Sequence, residues 1–403
     1  MAATEKGVWG LQEVRDKQLA SEWSYDGTSE IWVWGRGSNG QMGTNFTDRR
    51  SSPVQLPGAT WSTELRYQSI NGSHVVMNKT DGTLWSWGKN TDWGQLGHNT
   101  RANNISSPTQ IGSGTDWKIG GTFREASFGV KTDGTLWTWG DGRSGSAGIN
   151  KGGNDAIKSS PTQVGTDTTW DRAYGGDYHM FAIKTDGSLW SWGYNAQGRL
   201  ALNTPGVPGS RVSSPTQVGT DTNWDHVSVV GGYGNGGIKT DGTLWMWGYN
   251  NNGAAGQNST STPGYSSPTQ VGTDTTWRKY SSGNEQQLAV KTDGTLWTWA
   301  SNGSKGSFGL NQGPAQADAL SSPTQIGTNT NWNDISSCTQ GAAATKTDGT
   351  LWTWGRNDGG LLGLNQAPAS LAGVSSPTQV PGTGWNTLGT TAASQTRLTS
   401  KII

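Results

Sequence analysis

The phrase KTDGTLWTWG, as it stands at Lys131–Gly140, recurs with small changes seven times along the chain, and this repetition limits the possible folds more than any other feature. Its aspartates are Asp26, Asp81, Asp133, Asp186, Asp241, Asp293 and Asp348, spaced 52 to 55 residues apart. Self-similarity at such a period means an array of supersecondary units, each too small to bury its own apolar face. Residues 24–403 are therefore expected to form one repeat domain, with residues 1–23 left over as an arm.

Each unit reads as four strands. Asp-Gly stands between two apolar runs, as in FAIKTDGSLWSW around Asp186, and the pair favours the positive φ angles of a type I′ hairpin turn. In Leu189-Trp190-Ser191-Trp192 the side chains alternate, so both tryptophans share one face of the sheet, and both faces are expected to be packed. Downstream, SSPTQ recurs in six units and as SSPVQ at Ser51. A strand that carries proline in every copy is expected at the sheet edge, because proline lacks the ladder N–H. A further tryptophan, such as Trp170 or Trp277, opens the next unit.

Of 24 tryptophans, the WxW pairs and these opening positions absorb all but Trp9, Trp23 and Trp93. With five Phe and 31% hydrophobic residues, the core must be built on tryptophan, and the WxW pairs are expected to pack between units. The segment Trp385–Lys401 matches the first half of a unit and stops where the Asp-Gly turn would come, while the second half, Thr28–Gln55, stands at the other end. The expected fold is thus all-β: a seven-bladed β-propeller of four-stranded antiparallel blades, its ring closed by the C-terminal strands.

The stretches WGKNTDWGQLGHN at Trp87–Asn99 and WGRGSNGQMGTN at Trp34–Asn45 resemble the W-G-x-N-x-x-G-Q-L-G signature of the regulator-of-chromosome-condensation repeat family. The resemblance covers residues 26–403 and implies the same seven-bladed fold. Individual copies drift, as at Gly198–Ala201, Gly253–Gly256 and Ala300, and the histidine that usually precedes the turn is matched by His179 and more loosely by His74. The family includes a nucleotide exchange factor for a small GTPase, kinase-associated domains and a secreted β-lactamase inhibitor, so fold alone selects no function.

Composition narrows the range. Basic and acidic residues balance at 29 each, which argues against nucleic acid as a partner. No apolar run reaches the length of a signal peptide or membrane span, so no membrane insertion is expected, and synthesis in a cytoplasm is. Cys338, the one cysteine, reads as a small buried side chain. His74, His98, His179 and His226 fall in different units and the repeated Asp belongs to a turn, so no catalytic residue, metal site or cofactor is expected. The loop KGGNDA at Lys151–Ala156, with Asp155, reads as solvated rather than cation-binding. The asparagines and tyrosine of WGYNNNG suit either turns or a sugar.

Two features point to function. The TDG turns and GTDT-like links are uniform, whereas the loops after each WxW strand vary in length and content, and loops freed from scaffold constraints are where recognition is expected. The arm, GVWGLQEVRDKQLASEW, lacks the repeat texture and resembles the N-terminal segment of bacteriophage virion, tail-fibre-like proteins. That resemblance implies a non-enzymatic virion structural protein. Trp9, Leu11, Val14, Leu19 and Trp23 would anchor it to other virion proteins, with Arg15 and Lys17 fixing orientation. The loops would meet a host surface protein or glycan, with self-association into a homo-oligomer also open. The alternative is a bacterial protein–protein interaction module or inhibitor of the same repeat family.

Overall fold

The computed structural model describes residues 29–58, 60–65, 73–207, 209–229, 234–260, 264–284, 286–303, 305–313, 319–339, 341–389 and 396–403. The attachment residues Trp9, Leu11, Val14, Arg15, Lys17, Leu19 and Trp23 lie outside them.

Seven antiparallel sheets follow one another, one per repeat. Blade 4 shows the pattern: its first strand is Trp170–Gly175, its second His179–Lys184, its third Leu189–Tyr194 and its fourth Arg211–Gln217, paired in that order. The SSPTQ strand lies at the sheet edge, where a missing N–H leaves no ladder bond unmade. Six blades have four strands among the described residues; in blade 2 the described part of the first strand pairs through a bridge between Trp61 and Lys79. Blade 1 joins the two chain ends. Thr396–Ile402 pairs with Ser29–Gly35 from Ser29–Ile402 through Gly35–Thr396, and Trp385–Leu388 adds the remaining strand. The ring closes as the split repeat requires.

The turn differs from expectation. Left-handed φ is found at the glycine alone, as at Gly82 (φ 78°), and not at the aspartate. The Gly82 N–H donates to the Lys79 carbonyl and the Lys79 N–H to the Thr83 carbonyl, so the loop is a four-residue turn ending in a left-handed glycine rather than type I′. The reason lies in the side chains. Asp81 Oδ1 accepts the Thr83 N–H at 3.0 Å and the Thr83 hydroxyl at 2.6 Å, and Thr83 Oγ1 accepts the Trp85 indole N–H at 2.8 Å. The same relay runs from Asp133, Asp186, Asp241, Asp293 and Asp348. Those hydrogen bonds hold all six carboxyls below the ordinary carboxylate value. In these six repeats aspartate thus fixes the first tryptophan of the WxW pair as well as the turn, whereas in blade 1 the Trp32 indole donates to Glu30 at 3.1 Å.

The core lies between blades. Ile119, Phe128 and Val130 of blade 3 pack with Trp170, Ala182 and Trp192 of blade 4 in one buried cluster. The second tryptophan of each pair is buried there, while the first is half-buried and in six blades sits edge-on to the opening tryptophan of its own blade, as in Trp170–Trp190 at 5.9 Å. The second of each WxW pair is sealed inside these clusters and the half-buried first packs against them, so both take part in the packing expected of them. Cys338 is fully buried, 3.4 Å from Nη2 of the buried Arg397. His74 and His179 are fully buried at the same position of their blades, which pushes both imidazoles down to about 3 through desolvation.

Candidate functional site

The loop after each third strand has two parts. Its first ten or so residues are a fastener. In all seven copies the asparagine that ends this part is left-handed and donates its N–H to the first serine carbonyl of the next blade's SSP strand, from Asn45 to Ser106 at 2.8 Å round to Asn365 and Ser51 at 2.8 Å. In six of the seven copies a carbonyl in the same loop accepts the buried indole N–H of the next blade, as Gln95 does from Trp139 at 2.9 Å and Leu361 from Trp34 at 2.8 Å; the Trp247 indole is the exception. The glycine before it must approach closely: a Cβ on Gly94 would lie 2.5 Å from Ser159 Cβ. Five blades brace the loop with a buried asparagine. Asn90, Asn195, Asn250, Asn302 and Asn357 each accept one loop N–H and donate to a second loop atom.

This corrects the expectation that the whole loop is free for recognition. The variable part begins after the fastener, and the asparagines of WGYNNNG serve the turn: Asn250 is buried and Asn252 is left-handed. In the KGGNDA loop Asp155 is exposed, and no group of three or more His, Cys, Asp and Glu that could hold a metal ion occurs among the described residues.

The loops after first and third strands meet on one face of the ring, as the meander requires. In blades 2 to 4 they build a continuous polar and aromatic surface. Lys89 bonds Asp92 at 2.6 Å and reaches Glu125 of the next blade at 3.5 Å, and Gln95 Nε2 donates to Glu125 at 3.1 Å. Burial pushes the Glu125 carboxyl up even against the pull of Lys89; burial also opposes the Lys89 charge, but Asp92 and Glu125 outweigh it and raise that group. Arg143 stacks on Trp93 with its guanidinium carbon 3.8 Å from the ring centre, and Asp141 holds it from behind at 2.9 Å. Arg124 lies 4.4 Å over Tyr178 and 3.6 Å from Asp177. Tyr178 is edge-on to Tyr194, over which Arg199 lies at 5.5 Å.

Three arginines alternate with one tryptophan and two tyrosines across three blades. Each guanidinium–ring contact contributes about 0.5–1 kcal/mol where exposed, and holds the planar groups in place. Sequence reasoning left Trp93 unassigned and did not single out Arg124, Arg143 or Tyr178. The signal was there for Trp93, which stands outside both tryptophan patterns. For Arg124 and Arg143 there was none, because their ring partners come from other repeats.

Among the described residues no helix is long and apolar enough to cross a membrane. Residues 81–121 and 348–388 match the sequence profile described as the regulator of chromosome condensation (RCC1) repeat, and residues 174–199 match a second profile of the same description. The chain is 25% identical over 292 residues to the mitochondrial RCC1 domain-containing protein RUG3 of Arabidopsis thaliana; the match covers 67% of this chain and 61% of that protein. It is 24% identical to the ultraviolet-B receptor UVR8 of the same plant over 84% of this chain and 75% of the receptor. Among solved structures, human WBSCR16 superposes with a TM-score of 0.77 at 20% identity, covering 93% of this chain and 98% of that one. Prp20p of Saccharomyces cerevisiae, described with its binding to Gsp1p and histones, gives 0.76 at 18% identity over 93% and 92% of the two chains. These likenesses in structure agree on the fold, and the profile matches on the repeat: the chain is a seven-bladed β-propeller that carries repeats of the regulator-of-chromosome-condensation type.

Proposed function

We propose that this propeller is a non-catalytic protein-binding module whose working surface is the loop face of blades 2 to 4. The observation that carries the reading is the alternation of Arg124, Arg143 and Arg199 with Trp93, Tyr178 and Tyr194 on that face. Tryptophan, tyrosine and arginine dominate binding energy at protein interfaces: the two aromatics combine large contact area with few rotamers to freeze, and arginine adds a planar five-donor fork, here already held against a ring. The fasteners behind them make the scaffold rigid, so little ordering is left for the moment of binding. The relatives support an interaction module more than a virion protein: Prp20p is described with protein partners. The virion reading rests on residues 1–23 and is kept as a proposal for that segment alone.

The test is the triple variant Trp93→Ala, Arg124→Ala, Tyr178→Ala. A partner captured from the native source by the unaltered chain, then purified, should bind the variant at least about 30-fold more weakly, the equivalent of roughly 2 kcal/mol. An equal affinity, with both proteins showing the same circular dichroism and thermal transition, removes this face from the account.

A further inference from the structure

On the opposite side of the ring, at the KTDG end of every blade, a lysine lies against two indole rings. Lys184 is 4.9 Å from the ring centre of Trp170 and 4.0 Å from that of Trp190, and the arrangement repeats at Lys79, Lys131, Lys239, Lys291, Lys346 and Lys401. In blades 3 to 6 the link from the preceding blade adds a carboxylate. Lys131 meets Asp116 at 3.0 Å, Lys239 meets Asp221 at 2.8 Å, Lys291 meets Asp274 at 2.5 Å, and Lys184 pairs with Asp167. A cationic group withdrawn from water between apolar walls needs such a counter-charge.

Blade 7 keeps the cage and lacks the carboxylate. Its link reads GTNTNW where blade 6 has GTDTTW, so Asn329 takes the place of Asp274. Lys346 is 8% exposed, with Trp332 and Trp352 ring centres 4.7 and 4.5 Å from Nζ. Among the described residues no carboxylate pairs with it. A cavity of about 330 Å³ opens onto this amine, lined also by Asn311, Asn329 and Pro377. The matching cavity of blade 4 has the same volume, about 330 Å³, and there Asp167 is part of the wall. One molecule thus holds two versions of the site, with and without an internal anion.

We propose that the Lys346 pocket binds a carboxylate supplied from outside the blade, seated where Asp167 sits in blade 4. Lys346 provides the charge, Trp332 and Trp352 exclude water around it, and the amides of Asn329 and Asn311 offer donors to the remaining oxygen lone pairs. The carboxylate belongs either to an acidic segment of a protein or to a free organic acid. The site is independent of the loop-face reading, because all its lining residues belong to blades 6 and 7 and none to blades 2 to 4.

The experiment is a titration of the full-length chain, labelled with nitrogen-15 in its indoles, using sodium acetate, an end-capped tetraglutamate peptide, and sodium chloride at matched ionic strength. The Trp332 and Trp352 indole resonances should shift saturably with a carboxylate and not with chloride. A response to acetate identifies a site open to free acids, and a response to the peptide alone identifies an acidic protein segment. Asn329→Asp supplies the internal anion that blades 3 to 6 use, so it should keep the thermal transition while weakening binding by about tenfold or more. Lys346→Met should abolish it. No shift with either carboxylate, an equal shift with chloride, or undiminished binding to Asn329→Asp would overturn the proposal.

Discussion

Replacing Asn250 by alanine tests whether the loop after the third strand is a fastener. Asn250 is fully buried; its Oδ1 accepts the Ala255 N–H at 2.8 Å and its Nδ2 donates to the Ser259 carbonyl at 2.9 Å. In the variant the buried Ala255 amide loses this acceptor, and a buried donor left without one costs about 1–3 kcal/mol. The half-exposed Ser259 carbonyl can turn to water, so its lost bond adds about 1 kcal/mol. The expected penalty is therefore roughly 2–4 kcal/mol. It falls where blade 5 holds blade 6, since the Ala254 carbonyl accepts the Trp299 indole N–H at 3.0 Å and the Asn258 N–H donates to Ser321 at 2.7 Å. A chain of this size need not unfold in one step, so the assay is amide hydrogen exchange resolved to residues 254–258. A penalty of 2 kcal/mol accelerates exchange about 30-fold. Unchanged exchange there, with an unchanged denaturation midpoint, would refute the reasoning.

Truncation after Pro381 removes both closing strands of blade 1 and bares the ladder edge of Ser29–Gly35; the product should aggregate, and a soluble, monomeric, cooperatively folding truncation would contradict the closed ring. Stability should fall with acid between about pH 6.5 and 3, because burial holds His74 and His179 at about 3 while the unfolded chain takes up protons from 6.5 downward. With about 1.36 kcal/mol per unit for each group, the slope from the pair is roughly 2–3 kcal/mol per pH unit. His74→Gln with His179→Gln, the residue that blade 6 carries at this position as Gln286, should flatten a denaturation series across that window; an unaltered slope would assign the acid sensitivity elsewhere. Removal of residues 1–22 should leave the thermal transition of the ring in place and abolish incorporation into particles if the segment is a virion attachment arm; normal incorporation would end that reading.

The fold was legible because the repeat is nearly literal. A period of 52 to 55 residues, proline in every edge strand and a split unit at the two ends left little freedom. The turn was misread because Asp-Gly was weighed for backbone preference alone, while the structure uses the aspartate side chain to hold Thr83 and, through it, Trp85. The proposed working surface was half legible. Meander topology placed the varied loops on one face, but contacts such as Arg143 on Trp93 join residues 50 positions apart in different repeats, and no local pattern announces them. The lysine cage had a signal that went unread: lysine precedes Thr-Asp-Gly in six repeats, and the link aspartate changes to Asn329 in blade 7. Reading such a lysine as a hairpin-end surface charge hides that two indoles cover it.

The central claim is that partners meet the loop face of blades 2 to 4. Hydrogen exchange of the full chain with and without its purified partner tests it most directly. Protection is expected at residues 89–93, 124–125, 141–143, 177–178 and 194–199, with the KTDG turns on the far side of the ring unchanged. Protection confined to the KTDG turns, or spread over blades 5 to 7 while Arg124 and Tyr178 exchange as freely as before, would contradict it.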